Sequence, residues 1–150
     1  GISWHKKAFD LPTPLLNEDS LNFSFSGLKT AINQIIKKNT ITPDLISNMS
    51  ASFQHCVSKI LISKLKKTLK KLETENIQIK SISVVGGVSN NKYIAKKIIE
   101  FFDNKDIEIL FPTKDMMSDN AAMIAWNCIN KDLKLNSDIY FKASPRLTVK

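Results

Sequence analysis

The stretch Ser83–Ile94, SVVGGVSNNKYI, decides how this chain is read. A β-branched pair, Val84–Val85, runs into Gly86–Gly87, then into Ser89 and Asn90–Asn91, and then into a helical pattern carrying Ile94, Ile98, Ile99 and Phe102. Half of the chain's four glycines stand at this one strand-to-helix corner. Glycine tolerates positive φ and lets a ligand approach bare backbone, and N–H groups at a helix start attract anions. A tight turn with no ligand and a phosphate-binding corner are both compatible with the pattern, since a lone Gly-Gly turn is a weak signal.

Working outward, Ile77–Val85 reads as a strand, about Asn90 to Phe102 as a helix, and Ile107–Phe111 as a second strand closed by Pro112. Ser118 or Asp119 starts a further helix through Ala121, Ala122, Ile124, Ala125, Cys128 and Ile129. Strands alternating with helices predict an α/β unit with a parallel sheet. Ligands of such sheets gather at the carboxyl ends of the strands, here at Gly86 and near Pro112.

Upstream, residues 1–22 are irregular, with Pro12 and Pro14 flanking Thr13. Phe23 and Phe25 alternate with serines, which predicts a short half-buried strand. Ser26 is the expected N-cap of a helix whose apolar side is Leu28, Ala31, Ile32, Ile35 and Ile36. Thr42 and Pro43 open a longer helix, in cap and first-turn positions. Its apolar period, from Leu45 to Leu72, holds to about Glu75, a length that leaves room for a break near Ser50–Ser52.

With 150 residues, 24% of them charged, one soluble domain spanning 1–150 is expected. No apolar run approaches the roughly 20 residues of a membrane span, and no signal-peptide layout opens the chain, so a cytoplasmic protein without a membrane partner is expected. Gly1 in place of Met fits a cleaved or cloned piece of something longer. The formal charge of +8 comes almost wholly from lysine, with Arg146 the only arginine. An anionic partner such as RNA and plain solubility both account for it. For Lys64, Lys66, Lys67, Lys70 and Lys71 a solvated face is the default and RNA contact the alternative. Cys56 and Cys128 read as buried free thiols, and His5 and His55 as surface or cap residues. No H-E-x-x-H motif and no Ser–His–Asp or Cys–His arrangement supports a peptidase.

Three segments, FSFSGLKTA (Phe23–Ala31), VVGGVSNNKYI (Val84–Ile94) and SDNAAMIA (Ser118–Ala125), occur in an order and spacing that resemble the C-terminal half of the TsaD/Kae/Qri family. These are the tRNA N6-adenosine threonylcarbamoyltransferases, once called glycoproteases or O-sialoglycoprotein endopeptidases. ASFQ (Ala51–Gln54) fits as well, and the resemblance covers essentially the whole chain. It implies the second lobe of the two-lobed fold shared by actin, sugar kinases and Hsp70 chaperones (the ASKHA fold), with a nucleotide between the lobes. The family's GGVSAN loop falls on Gly86–Asn91, making Gly86, Gly87 and Asn91 substrate-binding residues. Its TDN motif falls on Ser118–Asn120, which makes Asp119 a ligand of the single metal ion, iron or zinc; the residues alone favour an N-cap role for Asp119. The first lobe, with the histidine pair that completes the metal site, is missing from this sequence.

The implied reaction moves a threonylcarbamoyl group from threonylcarbamoyl-AMP to the exocyclic amine of the adenosine beside the tRNA anticodon. Implied partners are tRNA, TsaB-like and TsaE-like proteins, and TsaC as source of the adenylate. Lys29 is given either a phosphate or tRNA contact or a structural role. Departures from the family are Thr13 in place of Arg in LPTP, Ala95 in place of Arg after the glycine loop, and Met117–Ser118 in place of Cys-Thr. They suggest weakened tRNA or interlobe contacts and, with the missing lobe, a decayed or split gene. The isolated chain is expected to be close to inactive, because catalysis needs both lobes. The alternatives are an orphan lobe that self-associates or binds a partner through its exposed interlobe face, and another ASKHA phosphotransferase.

Overall fold

The computed structural model describes residues 8–16, 18–118 and 120–130. Its contacts divide between two compact units, Gly1–Ser118 and Asp119–Lys150. In the first unit the elements run α1 (Ser26–Lys38), α2 (Pro43–Thr74), β1 (Ser81–Ser83), a 3-10 turn (Gly87–Asn90), α3 (Lys92–Phe102), β2 (Glu108–Leu110) and a second 3-10 turn (Lys114–Met116). The second unit holds α4 (Ala121–Asn130).

β1, α3 and β2 form the expected β-α-β crossover. The strands pair in parallel, Ser81 opposite Glu108, Ile82 opposite Ile109 and Ser83 opposite Leu110. Val84 N–H extends the ladder by donating to Leu110 O at 2.9 Å. The regular strands are shorter than Ile77–Val85 and Ile107–Phe111 suggested, each being three residues. Alternation explains the orientation: Ile82, Val84, Ile107 and Ile109 turn toward the core, while Ser81, Ser83, Glu108 and Leu110 are exposed. The core itself gathers Leu11, Leu28, Cys56, Val57, Ile60, Ile94, Ile98 and Phe102, so it lies chiefly between α2 and α3.

α2 starts as its sequence dictates. Thr42 Oγ1 accepts from Leu45 N–H at 3.2 Å, Pro43 occupies the first turn, and Asp44 adds a favourable charge there. No break occurs at Ser50–Ser52; the helix is continuous for 32 residues. Its neighbours hold it, with Ser52 buried and accepting a hydrogen bond from Phe9 N–H at 3.1 Å. The helix ends where Asn76 takes φ 56°, Ile77 N–H donating to Leu72 O and Asn76 N–H to Glu73 O. That pair of bonds closes the last carbonyls of the helix, and asparagine tolerates the left-handed turn they require.

Four other expectations are corrected. Phe23 and Phe25 form no strand: both are exposed, their rings stacked with centroids 6.1 Å apart. Ser26 is the first residue of α1 rather than its cap; Phe25 holds the cap position without a side-chain bond, and Ser26 Oγ meets Ser24 Oγ instead. α4 begins at Ala121 rather than at Ser118 or Asp119, with Asn120 Oδ1 accepting from Met123 N–H at 3.1 Å.

The lysine face is the fourth correction. Lys64 is 2% exposed, because its long stem crosses the core edge and its ammonium donates to Leu15 O and Ser20 O. Lys67 likewise donates to Leu16 O at 2.9 Å and to Glu18 O. These two lysines clasp the irregular segment before α1 onto α2. Lys66 and Lys70 are exposed as expected. No described helix is long and apolar enough to cross a membrane.

Candidate functional site

The corner Gly86–Asn91 stands at the carboxyl end of β1 and is stitched from within. Gly86 adopts φ 88°, ψ 167°, a region open essentially to glycine alone. Its carbonyl accepts from Ser89 N–H at 3.0 Å and from the buried Ser89 hydroxyl at 2.6 Å. Asn91 then caps α3, Oδ1 accepting from Tyr93 N–H at 3.0 Å and Ile94 N–H at 3.1 Å. Since the oxygen is committed to the cap, the amide nitrogen of Asn91 is the part that remains for a ligand.

Gly87 has a different reason to be glycine. Its φ is not positive, and an added Cβ would meet nothing within 4 Å. Neither conformation nor packing among the described residues asks for it. A bare backbone facing open space suits the close approach of another molecule.

That open space is a cavity of about 780 Å³ between α1, α2 and the corner. Phe25, Leu28, Lys29, Ile32 and Asn33 line it from α1 and the residue before it. Phe53, Gln54, Val57 and Leu61 line it from α2, and Gly87, Val88, Asn91 and Ile94 close it. Of the four family-like segments, FSFSGLKTA, ASFQ and VVGGVSNNKYI therefore meet at one place, though they are distant in the chain; SDNAAMIA contributes no lining residue among the described ones. The walls are apolar, with three amide side chains and one lysine among them. That composition and size suit a flat heteroaromatic group with a polar, anionic substituent.

Of the residues singled out in the sequence, Gly87 and Asn91 line this cavity. Gly86 does not; it shapes the turn that presents them. Lys29 lines it as the one cationic side chain among the described lining residues. Sequence reasoning missed Asn33, which had a readable signal: it lies one turn beyond Lys29 on α1, so both side chains share a face. Asp119 and His5 lie outside the described residues. Among the described residues, no three His, Cys, Asp or Glu side chains come together as a metal site would need.

The far side of α2 carries a smaller cavity of about 370 Å³, lined by Asp10, Thr13, Ser52, His55, Cys56 and Lys59 among others. His55 is half-buried rather than at the surface, its Nδ1 lying 3.2 Å from the Tyr93 hydroxyl. Cys56 is a buried free thiol as expected, directed at Pro12 O at 3.4 Å, and burial pushes its pKa up. The side chain of Cys128 is outside the described residues.

Comparison with known proteins gives a consistent result. The sequence model of TsaD, tRNA N6-adenosine threonylcarbamoyltransferase, matches residues 2–126. A protein of that name from Neorickettsia sennetsu is 35% identical over 148 residues, covering 98% of this chain and 44% of the relative. One from Ehrlichia ruminantium (strain Gardel) is 35% identical over 127 residues, covering 84% of this chain and 36% of the relative. One from Wolbachia pipientis wMel is 32% identical over 123 residues, covering 82% and 36%. The chain thus spans less than half the length of these relatives.

Proposed function

Because this chain belongs to the tRNA N6-adenosine threonylcarbamoyltransferase family, we propose that it supplies one wall of the nucleotide site of such an enzyme, as the second lobe of an ASKHA-type fold. The whole reaction transfers the threonylcarbamoyl group from threonylcarbamoyl-AMP to N6 of the tRNA adenosine, releasing AMP. The observation that carries this reading is the meeting of three of the four family-like segments, FSFSGLKTA, ASFQ and VVGGVSNNKYI, around one apolar cavity.

The adenine would lie between Phe25, Phe53, Ile32 and Val88, where apolar and aromatic surface favours a flat base. Asn33, Gln54 and the Asn91 amide nitrogen would hydrogen-bond its edge and the ribose. Gly87 lets the phosphate approach the backbone, and Lys29 offers it a countercharge. Holding the leaving phosphate in fixed hydrogen bonds stabilises the charge that grows as AMP departs. The family's metal ion, when bound, polarises the carbamoyl group; Asp119 would be this chain's ligand to it, the remaining ligands coming from a first lobe. The described residues do not make a metal centre by themselves. Exposed Val85, Val88 and Leu110 near the carboxyl ends of the strands favour a covering lobe.

An NMR titration with AMP tests the site directly. AMP is expected to shift the amide signals of Gly87, Val88 and Asn91, and Asn91→Asp to abolish the shifts. Asp keeps the capping oxygen but removes the amide donor and repels phosphate, so the fold should be unchanged. Absence of shifts at these amides with millimolar AMP, or identical shifts in the variant, would refute the proposal.

A further inference from the structure

α2 carries five lysines between positions 64 and 71, and the structure sorts them into three classes. Lys64 and Lys67 are spent on carbonyls of the segment before α1. Lys71 lies 3.8 Å from Glu75 in an exposed pair. Lys66 and Lys70 are exposed, and their ammonium groups make no hydrogen bond or ion pair with the described residues. Lys59, exposed too, precedes Lys66 by two turns. At 100° per residue, Lys59, Lys66 and Lys70 fall on one stripe, about 10 Å and then about 6 Å apart along the axis.

Such a stripe works against the helix that bears it. Lys66 and Lys70, and Lys67 and Lys71, are like charges four residues apart, which destabilises a helix. Lys67 and Lys71 offset this cost through the Leu16 and Glu18 carbonyls and through Glu75. Lys66 and Lys70 have no such side-chain partner among the described residues, a conflict with local stability that a binding role accounts for. Beside it, a groove of about 560 Å³ is lined by Lys67, Lys70, Lys71 and Thr74, with Asp19 its one acid. Resting on the family reading above, the geometry points to the Lys59–Lys66–Lys70 stripe as a docking face for the phosphate backbone of tRNA. A polyanion complements a row of exposed ammonium groups on one helix face, and lysine suits phosphate tracking without base readout. The face is on α2, away from the nucleotide cavity lined by Phe53, Val57 and Leu61 on another side of the same helix.

Binding of a fluorescent unmodified tRNA transcript to the 150-residue chain, measured across salt concentrations, tests this. K66Q/K70Q removes two phosphate contacts, so the slope of log affinity against log salt should fall by about 1.5. Binding at 0.1 M salt should weaken about tenfold. A control pair, K37Q/K38Q at the end of α1, should change binding less than twofold, and circular dichroism should show all three chains equally folded. The docking face is overturned by unchanged binding in K66Q/K70Q, by equal loss in the control pair, or by tighter binding to phosphatidylserine vesicles than to tRNA. The AMP titration is read separately. A chain that ignores AMP but shows this salt profile keeps the face and loses the nucleotide reading; the reverse result removes the face alone.

Discussion

The two sides of α2 are built on opposite rules. One side, through Cys56, Ile60, Lys64 and Lys67, is closed: it packs against the segment before α1 and bonds the carbonyls of Pro12, Leu15 and Leu16. The other, through Phe53, Gln54, Val57 and Leu61, is left open over a cavity, with Phe53 39% exposed. The closed side uses even a charged residue for structure. The open side leaves aromatic surface exposed, which a fold tolerates only where something else covers it. Stability and binding are thus carried by different faces of one helix, and substitutions should separate them.

The largest effect is expected at Ile60, which is 0% exposed. Ile60→Ala should lower unfolding free energy by about 3–4 kcal/mol in a denaturant titration. If it does not, the core is not where the packing places it. Next comes the lysine pair that looks alike in sequence. Lys64→Met leaves two carbonyls unpaired and should destabilise the chain by about 2 kcal/mol, while Lys66→Met should stay within about 0.5 kcal/mol. Equal effects at the two would erase the distinction between latched and free lysines.

The two glycines sharpen the comparison further. Gly86→Ala forces a side chain into a region L-residues avoid and should destabilise by about 1–2 kcal/mol. Gly87→Ala should leave stability within about 0.5 kcal/mol, and its effect should appear in AMP binding alone. The smallest effect concerns Cys56. Burial raises its pKa, so in the native chain it should be alkylated by iodoacetamide more slowly at pH 8 than in the unfolded chain, measured peptide by peptide by mass spectrometry. The sign follows: its stabilising contribution is intact below the ordinary thiol value and is lost as pH rises above that value through the raised one of the folded chain. Alkylation at the unfolded rate would show that the closed side is open to solvent.

Much of this architecture was legible in the residues. Thr42–Pro43 marks the start of α2, Asn91 the start of α3, and the Gly86–Gly87 corner the carboxyl end of a strand. Each is a local event, set by a cap oxygen, a missing N–H or a permitted φ. Local rules failed at Phe23 and Phe25, where alternation suggested a strand. A strand needs a partner edge, and the described residues give these two none.

By itself, then, the sequence determined the α/β alternation, the family, and which corner holds the glycines, because those depend on neighbours along the chain. Tertiary structure alone decided that Lys64 is buried while Lys66 is exposed, that Gly86 shapes the turn while Gly87 faces the cavity, and that Asn33 and Gln54 share that cavity. The physical reason is distance: these roles arise from groups tens of residues apart, whose meeting is fixed by packing and not by any local preference.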